Sequence, residues 1–193
     1  TRLEREYVIY NEIMENPDIE SIDKGISLFL ENQCDYVIGI GGGSPLDAAK
    51  AIALGAANQI SGEQLFDTKF HKQCYPIVAV PTTSGTGSEV TQYSVLTNTQ
   101  ANKKAGFTSP LIFPIVAFVD PKYTLSLNQK VTRDTAIDAL SHLLEGLYSN
   151  RRNELIYPII FDGIKLIVHN LRELLQNPLN MELRKKIMKA SLY

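Results

Sequence analysis

Cysteine and histidine are scarce in this sequence, neither sign of charge prevails by much, and no apolar run is long. The two cysteines, Cys34 and Cys74, stand far apart and fit no metal or redox spacing, so they read as reduced cytosolic thiols. Nineteen basic against 21 acidic residues leave a net charge of -2, which gives no electrostatic case for nucleic acid or an anionic membrane surface as partner. No stretch approaches the roughly 20 apolar residues that a bilayer demands. No signal-peptide pattern is present, so a cytoplasmic setting is expected. Internal repeats and low-complexity tracts are also missing. What remains is an ordinary globular composition of 193 residues, 44% hydrophobic and 21% charged, with chain enough for one core or two modest ones.

The stretch from Tyr36 to Ile52 organises the rest. Tyr36-Val37-Ile38-Gly39-Ile40 is short, apolar and largely β-branched, which predicts a strand buried on both faces of a parallel sheet. Gly41, Gly42 and Gly43 then let the backbone take positive φ and approach a ligand without a Cβ in the way. Ser44 is placed to cap a helix with Pro45 at its first position and Asp47 three residues past the cap, and Leu46 to Leu54 supply the helix body. A strand, a glycine turn and a helix N-terminus together present free N–H groups and a positive dipole end to an anion, most naturally a phosphate. The competing reading is a tight strand-to-helix connection and nothing more. Leu46 stands where the usual dinucleotide fingerprint has its third glycine, and no Gly-Lys-Ser/Thr follows to make a P-loop.

The chain opens at Thr1-Arg2-Leu3-Glu4 with no initiator methionine, and Tyr7 to Tyr10 already has strand character, so it is expected to begin inside a domain. After the break at Asn16-Pro17-Asp18, the residues Ile19, Ile22, Ile26, Leu28, Phe29 and Leu30 make a helical apolar face. A polar stretch from Asn58 to Gln73 leads to a further strand, Pro76 to Val80. Tyr93 to Asn98 and Ile115 to Val119 are expected to be strands as well, separated by Lys103-Lys104. This alternation predicts an α/β fold with a parallel sheet and helices on its faces. Beyond about Leu127 the pattern changes to helices over Val131 to Leu147, Glu154 to Leu175 and Met181 to Tyr193, with Pro158 in the first turn of the second. Leu155, Ile156, Ile159, Ile160, Ile164, Leu166 and Ile167 make that second helix look buried.

Two further stretches carry chemistry. Pro81-Thr82-Thr83-Ser84-Gly85-Thr86-Gly87-Ser88-Glu89 follows a strand at its C-terminal end, where open α/β sheets bind ligands, and its hydroxyls suit ribose, carboxamide and phosphate groups. It suits an ordinary Ser/Thr-rich surface loop equally well. In Asp138-Ala139-Leu140-Ser141-His142-Leu143-Leu144-Glu145, Asp138 and His142 project one turn apart from one helix face and can grip one metal ion of the first-row divalent kind. Spacing alone favours a surface ion pair. The apolar neighbours Ile137, Leu140, Leu143 and Leu144 instead suggest a largely buried helix, on which an aspartate needs a partner.

Taken in order, Gly41-Gly42-Gly43-Ser44-x-x-Asp47-x-x-Lys50, Pro81-Thr82-Thr83-x-Gly85-Thr86-x-x-Glu89 and Asp138-x-x-x-His142-x-x-Glu145 resemble the iron-containing (group III) alcohol dehydrogenases, relatives of glycerol dehydrogenase and dehydroquinate synthase. Asn16-Pro17 and Asp120-Pro121 fit the resemblance too. It implies a Rossmann-like dinucleotide-binding α/β domain over residues 1–127 and the start of an all-helical metal-binding domain over 128–193. Gly42, Gly43, Ser44 and Asp47, with Pro45 and Leu46, would lie at the pyrophosphate of NAD or NADP. Thr82, Thr83 and Thr86 would meet the nicotinamide half, Val95 would line the site and Lys104 would reach a ribose. Asp138 and His142 would supply two of four ligands to Fe2+, or to zinc or another divalent metal.

The family draws its other two ligands from histidines further along. Here only His71 and His169 remain, neither at that spacing, and each reads as an ordinary histidine. The first strand and helix of the family's domain are missing as well, so the resemblance implies an internal fragment. The activity implied for the whole protein is hydride transfer between a small alcohol or aldehyde and the nicotinamide, with the metal polarising the alcohol oxygen. A homodimer is the assembly it suggests. Two alternatives stand beside it: a zinc-dependent polyol dehydrogenase or synthase, and a nucleotide-binding module without catalysis.

Overall fold

A computed structural model describes residues 6–98, 103–150 and 153–193. Thr1-Arg2-Leu3-Glu4 lies outside them. Helix α1, Ile19–Glu31, starts where Asp18 accepts a hydrogen bond from the Ser21 N–H at 2.7 Å and buries Ile22, Ile26 and Phe29 on one side. Strand β1, Val37–Gly41, runs into helix α2, Gly43–Asn58, and the chain returns as strand β2, Ile77–Pro81. Strands β3, Tyr93–Asn98, and β4, Lys103–Thr108, form a hairpin, and β5, Val116–Ala117, closes the sheet. Helices α3, Gln129–Tyr148, α4, Tyr157–Gln176, and α5, Met181–Ser191, complete the chain, with Pro158 at the start of α4 as expected.

The sheet is parallel in the order β1-β2-β5, with Ile38 beside Val78 and Val78 beside Val116. The alternation of strand and helix foretells this part of the fold. The hairpin departs from it: β3 and β4 are antiparallel, Val95 lying opposite Gly106, and Lys103-Lys104 sits in a strand rather than in a connection. Lysine has low strand propensity, so period and composition do not reveal β4.

Two clusters of apolar side chains form. One gathers Ile22, Ala51, Leu54, Leu65, Leu96 and Ile112 around α1 and α2; the other gathers Ala136, Leu143, Ile167, Leu174 and Ile187 from α3, α4 and α5. Alanines at 48, 49, 51 and 53 bring α2 down onto the sheet, and Gly39 makes the approach possible. A Cβ there would come within 2.9 Å of the Ala49 Cβ. The polar stretch between α2 and β2 is tied down by Asn58, whose amide donates to the Gln73 carbonyl at 2.7 Å, and by the fully buried Leu65.

Three expectations need correction. Tyr7 to Tyr10 is not a strand: Tyr7 and Ile9 are 72% and 70% exposed and no described strand pairs with the segment, and apolar character cannot form a ladder without a neighbour. β1 is covered on one face only. Val37, Gly39 and Gly41 face α2, whereas Ile38 and Ile40 are 49% and 62% exposed. Likewise α4 buries Ile160, Gly163, Ile167 and Leu174 but leaves Ile159, Phe161 and Val168 exposed, so its apolar circumference does not mean that it is enclosed.

Candidate functional site

The glycine turn lies at the C-terminal end of β1, where Gly41 has φ +148° and a Cβ would fall 2.6 Å from the Pro45 ring. Only glycine suits that position. α2 begins sooner than the sequence predicts. Its cap is Gly42, not Ser44, and Pro45 stands two residues inside the helix. No side chain caps this end, so first-turn N–H groups remain available to an anionic ligand. The capping arrangement expected of Ser44 and Asp47 is absent because both side chains have other partners. Ser44 Oγ accepts from the Asn16 N–H at 3.2 Å, and Asn16 Oδ1 accepts from Lys104 Nζ at 2.7 Å, so Ser44 and Lys104 share one asparagine as partner.

The threonine loop after β2 lies directly against this turn. The Thr82 N–H donates to the Gly41 carbonyl at 2.8 Å. A Cβ on Gly42 would meet Thr83 at 3.2 Å and one on Gly43 would meet the Thr86 methyl at 2.7 Å. The loop thus crowds two of the three glycines, Gly43 more closely than Gly42, and the turn and loop form one cradle at the ends of two neighbouring parallel strands. Thr82 and Thr83 are half-buried and Thr86 is exposed.

Beneath the cradle lies a buried polar network. Asp47 accepts from Ser88 Oγ at 2.6 Å on one carboxylate oxygen and from the Val95 N–H at 2.9 Å on the other. Lys50, with no exposed surface, donates to Ser88 Oγ and to the Tyr93 carbonyl at 2.8 Å each, and to Thr91 Oγ1 at 3.4 Å. Burial pushes the Lys50 ammonium down to about 8, against the pull of Asp47 and Glu89. Burial likewise raises the Asp47 carboxyl, and the hydrogen bonds from Ser88 and Val95 oppose it. Glu89, 3% exposed, is raised for the same first reason, and its Oε1 has no hydrogen-bond partner among the described residues. The sequence pattern places Lys50 in a motif without assigning it a task. The signal that could have found it is a lysine set among alanines on a buried helix, one turn from Asp47.

The other side of the cradle is helical. Gly85 packs on α3, where a Cβ would fall 2.9 Å from the Thr135 Cβ, and Gly87, at φ +61°, lies against the Ser191 carbonyl of α5. Arg184, 2% exposed, locks α5 to α3 by donating to the Pro178 carbonyl and to Thr132 Oγ1 at 2.9 Å each. One turn beyond Thr135, Asp138 Oδ1 and His142 Nε2 stand 3.8 Å apart with side chains 45% and 51% exposed. The expectation that this helix is largely buried fails: Ile137 and Leu144 are 49% and 37% exposed. A carboxylate and an imidazole at that separation, open to solvent, fit part of a first-row divalent metal site. No third histidine, cysteine, aspartate or glutamate joins them among the described residues. His71 is occupied elsewhere, its Nε2 2.8 Å from the Leu65 carbonyl, and His169 lies exposed on α4.

With this geometry in place, comparison with known proteins is direct. A family model described as iron-containing alcohol dehydrogenase matches residues 1–121, and one for the C-terminal part of the Fe-containing alcohol dehydrogenase family matches residues 132–193. The 1,3-propanediol dehydrogenase of Klebsiella pneumoniae is 33% identical over 192 residues, covering 97% of this chain and 49% of that protein. An iron-containing alcohol dehydrogenase from Thermotoga maritima superposes with a TM-score of 0.90 at 40% identity, over 96% of this chain and 51% of that one. A sulfoacetaldehyde reductase from Bifidobacterium kashiwanohense, solved in complex with NAD+, matches with TM-score 0.90 and 36% identity over 96% of this chain and 50% of its own. The chain thus spans about half the length of each of these relatives.

Proposed function

Because the chain belongs to the iron-containing alcohol dehydrogenase family, we propose that it carries the dinucleotide site and part of the metal site of an enzyme moving hydride between an alcohol or aldehyde and NAD or NADP. Residues 1–127 form the dinucleotide-binding domain in this reading, and residues 128–193 open the helical metal-binding domain, in keeping with two apolar clusters. The observation that carries it is the uncapped N-terminus of α2, faced across the glycine turn by Thr83 and Thr86. Gly42, Gly43 and Ser44, followed by Pro45 and Leu46, receive the pyrophosphate on backbone groups, and the dipole of α2 favours its charge. Thr82, Thr83 and Thr86 orient the nicotinamide half with their hydroxyls, beside Val95. Lys104, anchored by Asn16, is within the same cluster as Ser44 and reaches a ribose. Asp47 acts through the network below the site, since both of its oxygens are engaged.

When bound, the cofactors supply the hard chemistry, the nicotinamide taking hydride and a divalent metal, iron in this family, lowering the cost of charge on the alcohol oxygen. The chain's own contribution is to hold two ligands close together. Asp138 and His142 present two donors one turn beyond Thr135, where α3 meets the threonine loop, so cofactor and metal elements are packed on one another. The matching family models are those of iron-containing alcohol dehydrogenases, which favours this reading over a zinc polyol enzyme or a binding module without catalysis. No helix among the described residues is long and apolar enough to cross a membrane. A homodimer is the assembly we expect for it.

Calorimetric titration with NAD+ and NADP+ tests the site. Saturable binding of at least one is expected, with Gly43→Val reducing affinity by more than about tenfold, because the branched side chain enters the space of Thr86 and of the phosphate. Undiminished affinity in Gly43→Val would remove the glycine turn from the site.

A further inference from the structure

Of the charged groups that join the glycine turn to the threonine loop, Lys50 and Glu89 are buried and Asp47 is half-buried. Lys50 is the centre of the group. Its ammonium is held by neutral oxygens, Ser88 Oγ and the Tyr93 carbonyl at 2.8 Å and Thr91 Oγ1 at 3.4 Å, and Ser88 passes the interaction on to Asp47 at 2.6 Å. Asp47 in turn receives the Val95 N–H at 2.9 Å. The chain of bonds is unbroken from the first turns of α2 through the end of the threonine loop to β3. It continues upward as well, since the Ser88 N–H donates to Thr86 Oγ1 at 3.3 Å.

A buried ammonium is an expensive fastener. An apolar side chain of similar volume commonly holds two elements together at equal or lower cost, but it imposes no direction. Three donors on one nitrogen, aimed at two different segments, fix both the distance and the angle between them. Here they tie α2 to the end of the threonine loop at Ser88, which reaches back to Thr86 through its own N–H.

We propose that Lys50 is a positioning residue for the nicotinamide half of the dinucleotide: the Lys50–Ser88–Asp47 chain sets the threonine loop at a defined distance from the helix end that receives the pyrophosphate. The role rests on the dinucleotide reading above. It differs from general structural support in one respect: it acts on the half of the ligand that meets the loop and leaves the half that meets the helix alone.

NAD+ and ADP-ribose separate the two halves, because ADP-ribose keeps the pyrophosphate and lacks the nicotinamide. Titration of the chain with each, as wild type and as Lys50→Met, should show NAD+ affinity falling about tenfold and ADP-ribose affinity by less than about threefold. Equal losses for both ligands, or no loss for either, would overturn the proposal. If Lys50→Met fails to fold by circular dichroism, Ser88→Ala decides in its place. That variant cuts the link to Asp47 and leaves the bond from Lys50 to Tyr93, and the same selective loss supports the proposal while its absence overturns it. A wild-type chain that binds neither ligand would instead bring down the dinucleotide reading, and this role with it.

Discussion

At Lys50 the cost of burial can be read directly as a pH dependence. Its folded-state pKa lies near 8, below the ordinary 10.5, so from about pH 8 to 10.5 the unfolded chain retains a proton that the folded chain has released. Stability contributed by this group therefore rises with pH across that window and is flat below it. Thermal or urea unfolding of wild type and Lys50→Met should show the difference between them moving in favour of wild type by about 1 kcal/mol from pH 8 to pH 9. A difference that stays constant across that interval would mean that the ammonium is not desolvated as its burial implies. Residue identities in the sequence foreshadow the glycine turn, because three consecutive glycines are costly unless something approaches the backbone, whereas the hydroxyl-rich stretch reads equally well as a surface loop. They mark Lys50 only through its setting among alanines one turn from Asp47, and do not tell that its ammonium finds three oxygens.

Element by element, α2 and α3 teach opposite lessons. α2 is legible down to its alanine face, yet its first residue is not: Gly42 caps it because Ser44 is claimed by Asn16, a partner 28 residues away that local capping rules do not include. α3 is legible as a helix, but its apolar residues at 137 and 144 proved exposed, so the argument from burial to a metal falls while the geometry of the pair remains. That pair is the subject of a further prediction. In the metal-stripped chain, titration with Co2+ should show weak binding, since two donors seldom hold a divalent ion tightly, and His142→Ala or Asp138→Ala should abolish it. NAD+ affinity should stay within about twofold, because the dinucleotide is held by backbone groups of α2. Tight stoichiometric metal in His142→Ala would show that the ligands lie elsewhere.

Across the whole molecule the βα alternation predicts a parallel sheet though not its order β1-β2-β5, and long helical periods predict the helices that follow Leu127. The antiparallel hairpin escapes such reasoning, as does the packing of Gly85 on Thr135 and Gly87 on the Ser191 carbonyl, because these contacts join residues 50 and 104 positions apart and no local pattern encodes them. Those contacts put the threonine loop between the turn that is proposed to take the phosphates and the helix that is proposed to take the metal. The most direct test is an amide NMR titration of the chain with NAD+. The account predicts that the amides of Gly42, Gly43, Ser44, Thr83 and Thr86 shift together with one affinity, while those of α4 hold still. Shifts confined to α4, or saturable binding that leaves the glycine turn and the threonine loop unmoved, would contradict it.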